Sequence, residues 1–133
     1  MRFLIAFCLA FALWPLATSA QGLQEERITF EPGTTGAVIS GGINGNQIVD
    51  YLITAQAGQR MEVTFEPSNP SAYFNLLYEK NPKALHIGTL YGNRFSDTLP
   101  ATGDYRVRVY LANSAARRGE TAAYMLQVSI EDE

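Results

Sequence analysis

From Leu99 to Leu111 the chain reads Leu-Pro-Ala-Thr-Gly-Asp-Tyr-Arg-Val-Arg-Val-Tyr-Leu, a turn followed by regular alternation of apolar and polar positions. Pro100 fixes φ and Gly103 tolerates a positive one, so the chain reverses there. Tyr105, Val107, Val109 and Leu111 then point one way and Arg106, Arg108 and Tyr110 the other, the two-residue period of a half-buried strand. The outward three are expected on a solvated sheet face. Ala122 to Glu131 repeats the pattern with Tyr124, Leu126, Val128 and Ile130 inward. Between these two strands, Asn113 to Arg118 has room for one helical turn at most.

Upstream the same period recurs in shorter pieces. Arg27–Phe30 reads as a first strand after a polar lead-in, and Ala37–Ile43 as a second, where Gly41 and Gly42 suggest a bulge. Asn44-Gly-Asn-Gln47 is a turn. Val49 to Ala55 alternates with Tyr51, Ile53 and Ala55 on one face, and Met61, Val63 and Phe65 give the inward side of the next strand. Ala72–Tyr78 is more continuously apolar, as for a strand near the middle of a sheet. Glu79–Lys83 reads as a polar turn, and Leu85–Tyr91 fits a short strand without a clean period. Strands this short, with turn signals every eight to twelve residues, predict an all-β chain, a single antiparallel β-sandwich of about seven to eight strands.

The first twenty residues follow another rule. One Arg, an apolar run from Phe3 to Leu16 and the small residues Ala17-Thr-Ser-Ala20 form a secretory signal peptide, with cleavage expected after Ala20. The run is shorter than the roughly 20 residues that a membrane span requires. Phe7 before Cys8 does not suit a lipoprotein cleavage site. The organisation is therefore a signal peptide over 1–20 and one β-sandwich domain over 21–133, exported and free of an anchor. Cleavage would remove the one Cys and the one Trp, leaving a core that relies on burial and sheet hydrogen bonds. The full chain carries a net charge of −3, and loss of Arg2 makes the domain one unit more acidic. That balance argues against nucleic acid and anionic membranes and suits a cationic protein partner.

Catalytic chemistry finds little to work with. His86 is the one histidine, expected on the surface beside a strand, and no serine sits in a nucleophile-elbow pattern. One histidine is too few for zinc. Asn44, Asn46 and Asp50 only loosely resemble a calcium loop, and a hairpin turn is the simpler reading. No carboxylate pair is singled out for glycoside cleavage. The expectation is no enzyme, no metal and no cofactor. What remains is surface: the outward Arg106, Arg108 and Tyr110, the glycine-rich Ser40–Gln47 strand and turn, and the Asn113–Glu120 loop. That loop carries Arg117 and Arg118, two always-charged bidentate donors between anchored strands.

Across nearly the whole exported part, in order, Phe30 with Gly33, Ser40-Gly41 with Ile43 and Gly45, Tyr51, Ala57-Gly-Gln59, Leu99-Pro-Ala with Gly103 and Tyr105, then Ala116-Arg117 and Tyr124 resemble the periplasmic inhibitors of goose-type lysozyme. The resemblance implies a β-sandwich that plugs a lysozyme's substrate cleft with loop residues, arginines before the last strand among them. Position by position, Arg117 matches the later loop arginine, and Asn113 stands where the earlier one is expected, with Arg118 as its substitute. Asn46 stands where the family tends to place an aromatic. The implied partner-binding residues are Arg117, Arg118, Asn113 and Asn46, the implied partner is lysozyme, and the implied compartment is the periplasm. Leu-Pro-Ala-x-Gly-x-Tyr and Ala-Gly-Gln are also similar to the pre-peptidase C-terminal domains of secreted bacterial proteins. The alternative is therefore a secreted sandwich of that type binding glycan or protein, with Tyr91 and Tyr110 stacking on sugar rings.

Overall fold

Where side chains alternate, the computed structural model of the protein places strands; it describes residues 22–133, so the expected signal peptide over 1–20 lies outside the described residues. Nine strands are found there: β1 (Leu23–Arg27), β2 (Gly36–Asn44), β3 (Ile48–Ala55), β4 (Arg60–Pro67), β5 (Ala72–Tyr78), β6 (Asn81–Ile87), β7 (Arg94–Thr98), β8 (Gly103–Leu111) and β9 (Thr121–Glu131). Two single helical turns, α1 (Gly88–Tyr91) and α2 (Asn113–Arg117), interrupt them. One sheet has the order β1-β3-β8-β5-β6 and the other β2-β9-β4-β7.

Every inward face expected from the alternation is buried. Tyr51, Ile53, Phe74, Leu76, Tyr105, Val107 and Val109 of the first sheet face Met61, Val63, Phe65, Tyr124, Leu126 and Val128 of the second. Each such aliphatic side chain contributes about 1.5–3 kcal/mol when withdrawn from water. Phe65 packs edge-on against Phe74 across the layers, at 5.9 Å between ring centres. Tyr51 and Tyr124 join the sheets through their hydroxyls, 2.6 Å apart.

The Leu99–Tyr105 segment proves to be a structural corner. Tyr105 is fully buried, and its hydroxyl donates to Ala101 O four residues upstream while accepting the Ala101 N–H. Leu99 exchanges backbone bonds with the Ala57-Gly58-Gln59 turn, Leu99 N–H to Gln59 O at 2.7 Å and Gly58 N–H to Leu99 O at 2.9 Å. The two short motifs are thus one assembly, at the end of β3 and β8 where Ala55 pairs with Gly103.

Five expectations change. The strand count is nine, and β1 occupies Leu23–Arg27 rather than 27–30 and runs parallel to β3. All five of its side chains are exposed, so it has no burial period to read. Polar contacts fix it instead: Arg27 to Asp104 at 2.9 Å and to Thr54 at 2.9 Å, and Arg106 to Glu25 at 3.3 Å. Second, Asn81–Lys83 belong to β6, and Leu85–Tyr91 divides between β6 and α1. Third, Gly41 and Gly42 form no bulge, since β2 and β9 stay in register throughout. A Cβ on Gly41 would lie 2.5 Å from the Tyr124 hydroxyl, so this glycine makes room for a ring.

Fourth, His86 is buried, because β6 turns it inward and α1 folds back over it. Its ring stacks on Phe74 at 4.6 Å, and Nε2 lies 2.8 Å from Gly92 O. Fifth, Arg106 and Arg108 do point outward, yet they enclose a carboxylate with no exposure at all. Asp50 takes Arg108 Nε at 2.9 Å and Arg106 Nε at 3.3 Å. Desolvating an unpaired carboxylate would cost several kcal/mol, and two guanidiniums offset that cost. Asp50 is therefore committed to the sheet and stands apart from the hairpin turn.

Candidate partner-binding site

At the opposite end of β3 and β8, beyond the Val49–Val109 pair, the β2–β3 turn meets the segment between β8 and β9. Asn44-Gly-Asn-Gln47 closes by Gln47 N–H to Asn44 O at 3.1 Å, and Gln47 Oε1 accepts the Asn44 N–H at 2.9 Å. Gly45 adopts φ +58°, the left-handed region that glycine enters without strain. Its N–H donates to Glu120 O at 2.9 Å, which pins the turn to the neighbouring segment.

That segment is anchored from below. Ala115 and Ala116 are buried, Ala112 N–H donates to Ser71 O at 2.8 Å, and Gly119 at φ +71° ends the helical turn. With both alanines inward, Asn113 and Arg117 come to the surface on the side of the β2–β3 turn. Asn46, Asn113 and Arg117 together line a shallow depression of ≈ 300 Å³. A second hollow beside it, ≈ 410 Å³, is bordered by Gly22, Asn46 and Arg117, and a third, ≈ 250 Å³, by Asn46, Asn113, Arg108 and Tyr110. Asn46 stands on the rim of all three.

The two adjacent arginines have different surroundings. Arg117 is exposed and gives its Nε–H to Asn113 O at 3.4 Å, and among the described residues it forms no salt bridge. Arg118 is turned aside to Glu120, with Nε at 2.7 Å and Nη2 at 2.6 Å from Oε2. Three of the four expected residues therefore converge, and the fourth lies against its own acidic neighbour. Sequence reasoning passed over Glu120 and Asn69, which closes the other side of the pair, Nδ2 to Glu120 Oε1 at 3.0 Å. The i, i+2 spacing of Arg118 and Glu120 was the one visible trace.

The tyrosines of the alternative reading also differ. Tyr91 is 71% exposed, whereas Tyr110 is half-buried, packs on Tyr73 and donates to Asn75 Oδ1 at 2.9 Å. Burial raises the Tyr110 hydroxyl above its ordinary pKa, so it stays a neutral donor. Among the described residues no three His, Cys, Asp or Glu side chains gather as metal ligands.

No family model matches the chain. The inhibitor of g-type lysozyme of Escherichia coli K12 is 24% identical over 116 residues, 86% of this chain and 87% of the relative. The crystal structure of Aeromonas hydrophila PliG, a periplasmic lysozyme inhibitor of g-type lysozyme, superposes with a TM-score of 0.75 at 28% identity, covering 83% of this chain and 98% of that one. The pre-peptidase C-terminal domain of a Bacillus anthracis collagenase shares the fold alone, at 16% identity and a TM-score of 0.54 over 81% of this chain and 95% of that one. The tip with its outward arginine thus sits on a chain that is similar, in sequence and in fold, to the periplasmic inhibitors of g-type lysozyme.

Proposed function

We propose that this protein is a periplasmic inhibitor of lysozyme, g-type in the first place, that occludes the substrate cleft with the β2–β3 turn and the α2 segment and so protects the cell wall. The observation that carries the reading is Arg117: an exposed guanidinium that has no carboxylate partner among the described residues, held on a tip braced from two sides. A lysozyme's acid is a carboxyl group in a cleft. A guanidinium entering that cleft pairs with it through charge-assisted hydrogen bonds and leaves no room for a glycan. Asn46 and Asn113 supply neutral donors and acceptors at the rim. The protein acts by filling space, and the net negative charge of its domain favours approach to a cationic enzyme.

The glycan-binding alternative draws on the exposed ring of Tyr91; Tyr110 is occupied with Asn75 and Tyr73. The deciding experiment adds the purified domain to goose-type, chicken-type and invertebrate-type lysozymes and follows cell-wall lysis. Slowed lysis is expected with the goose-type enzyme. Unchanged lysis with all three at micromolar protein would refute the reading.

A further inference from the structure

Glu120 lies between α2 and β9, three residues past Arg117, and gathers contacts from three directions. Its Oε2 accepts from Arg118, and its Oε1 accepts from Asn69 in the β4–β5 loop at 3.0 Å. Its carbonyl accepts the Gly45 N–H of the β2–β3 turn, and its own N–H donates to Ala115 O at 3.1 Å. Asn69 is fixed in turn, with Nδ2 reaching Thr121 O at 3.1 Å and Oδ1 accepting the Ser71 N–H at 2.9 Å. One residue therefore ties together both loops of the tip and the loop behind them.

The magnitudes point away from a stability role for the ion pair. The Arg118 side chain is 62% exposed and that of Glu120 32%, and exposed pairs of this kind contribute about 0–1 kcal/mol. Their effect on charge is larger. Arg117 and Arg118 would put two cations on the tip, and Glu120 cancels one. The hydrogen bond from Asn69, followed by that from Arg118, holds the Glu120 carboxyl below its ordinary range, so it remains ionised at neutral pH.

We propose that Glu120 is a positioning residue for the occluding tip: it draws Arg118 aside and fixes α2 against the β2–β3 turn, so the partner meets one directed cation instead of two mobile ones. This rests on the reading of the tip as a lysozyme-occluding surface. The test is a cycle of Arg118→Ala, Glu120→Gln and the double variant. It is read by inhibition of goose-type lysozyme, by the thermal midpoint, and by 15N relaxation of the arginine Nε–H groups in the free protein.

The midpoints are expected to move by less than about 4 °C. Arg118→Ala bares a carboxylate beside the tip and weakens inhibition about fivefold, a coupling typical of neighbouring charges. The double variant removes that carboxylate, keeps an acceptor for Asn69, and recovers to within about twofold of the parent. The Arg118 Nε–H is rigid in the parent and mobile in Glu120→Gln. Losses that add in the double variant, or inhibition unchanged in all three, overturn the proposal. A parent that inhibits no lysozyme removes the functional reading, whereas an Arg118 Nε–H equally mobile with and without Glu120 removes the positioning role alone.

Discussion

Arg117 and Tyr124 illustrate the two kinds of work a single residue does in this molecule. Among the described residues the Arg117 side chain makes one hydrogen bond, to the Asn113 carbonyl, so its removal is expected to cost the fold little and the proposed complex much. A hydrogen bond to a charged group contributes about 1.5–3 kcal/mol, or roughly tenfold or more in affinity. Arg117→Ala is therefore expected to weaken inhibition at least about tenfold while leaving the thermal midpoint in place; unchanged potency in a lysis titration would remove it from the site. Tyr124 is the converse case. Burial pushes its hydroxyl and that of Tyr51 above their ordinary pKa, and each is the other's partner. Tyr124→Phe leaves the Tyr51 oxygen buried and unpaired, at a cost of about 1–3 kcal/mol in a denaturant titration. Adding Tyr51→Phe is expected to cost less than a second such loss, because no orphaned hydroxyl remains. Gly41→Ala drives a methyl group into the same ring and is expected to cost about 1–3 kcal/mol by the same measurement.

Among the elements, β1 departs from the rule that governs β3, β4, β8 and β9. Those four strands were legible because one face of each is buried, and burial imposes alternation: Tyr105, Val107, Val109 and Leu111 could be assigned inward from spacing alone. The sequence of β1 carries no such mark, because backbone bonds and ion pairs hold it to β3 with every side chain in water. Its attachment should accordingly depend on pH. The hydrogen bond from Arg27, then that from Thr54, pulls the Asp104 carboxyl from its ordinary 3.8 down to about 2. A carboxyl depressed in the folded state contributes its stability in full above the ordinary value and loses it as pH falls toward the depressed one. The protection of the β1 amides, measured as exchange relative to the intrinsic rate at each pH, is expected to fall as pH drops from 3.8 toward 2, ahead of the core strands, and Asp104→Asn should abolish that dependence.

Considered whole, the molecule separates what holds it together from what it presents. The Ala57-Gly-Gln59 turn and the Leu99–Tyr105 corner occupy one end of β3 and β8, and Asn46, Asn113 and Arg117 occupy the other. This explains why the motifs most visible in the sequence specified the sandwich better than the target. They are corner geometry, and a collagenase domain shares the same fold at 16% identity. The convergence of Asn46 with Asn113 and Arg117 spans two loops far apart in the chain, and the family resemblance supplied it where spacing did not. The pairing of Arg118 with Glu120 was hidden because neighbouring residues in a loop have no fixed period. Charge acts at this scale too: an acidic body approaching a cationic enzyme should associate more slowly as salt shortens the Debye length from about 10 Å at 0.1 M to about 3 Å at 1 M. Stopped-flow association rates that are flat with salt would exclude such steering. The polarity also fixes how the protein can be handled. Gly22 borders the same hollow as Arg117, while β9 runs away from the tip to Glu131. An affinity handle fused ahead of Gly22 would crowd the very lip a sensor chip must leave open, whereas one placed after Glu133 tethers the opposite pole.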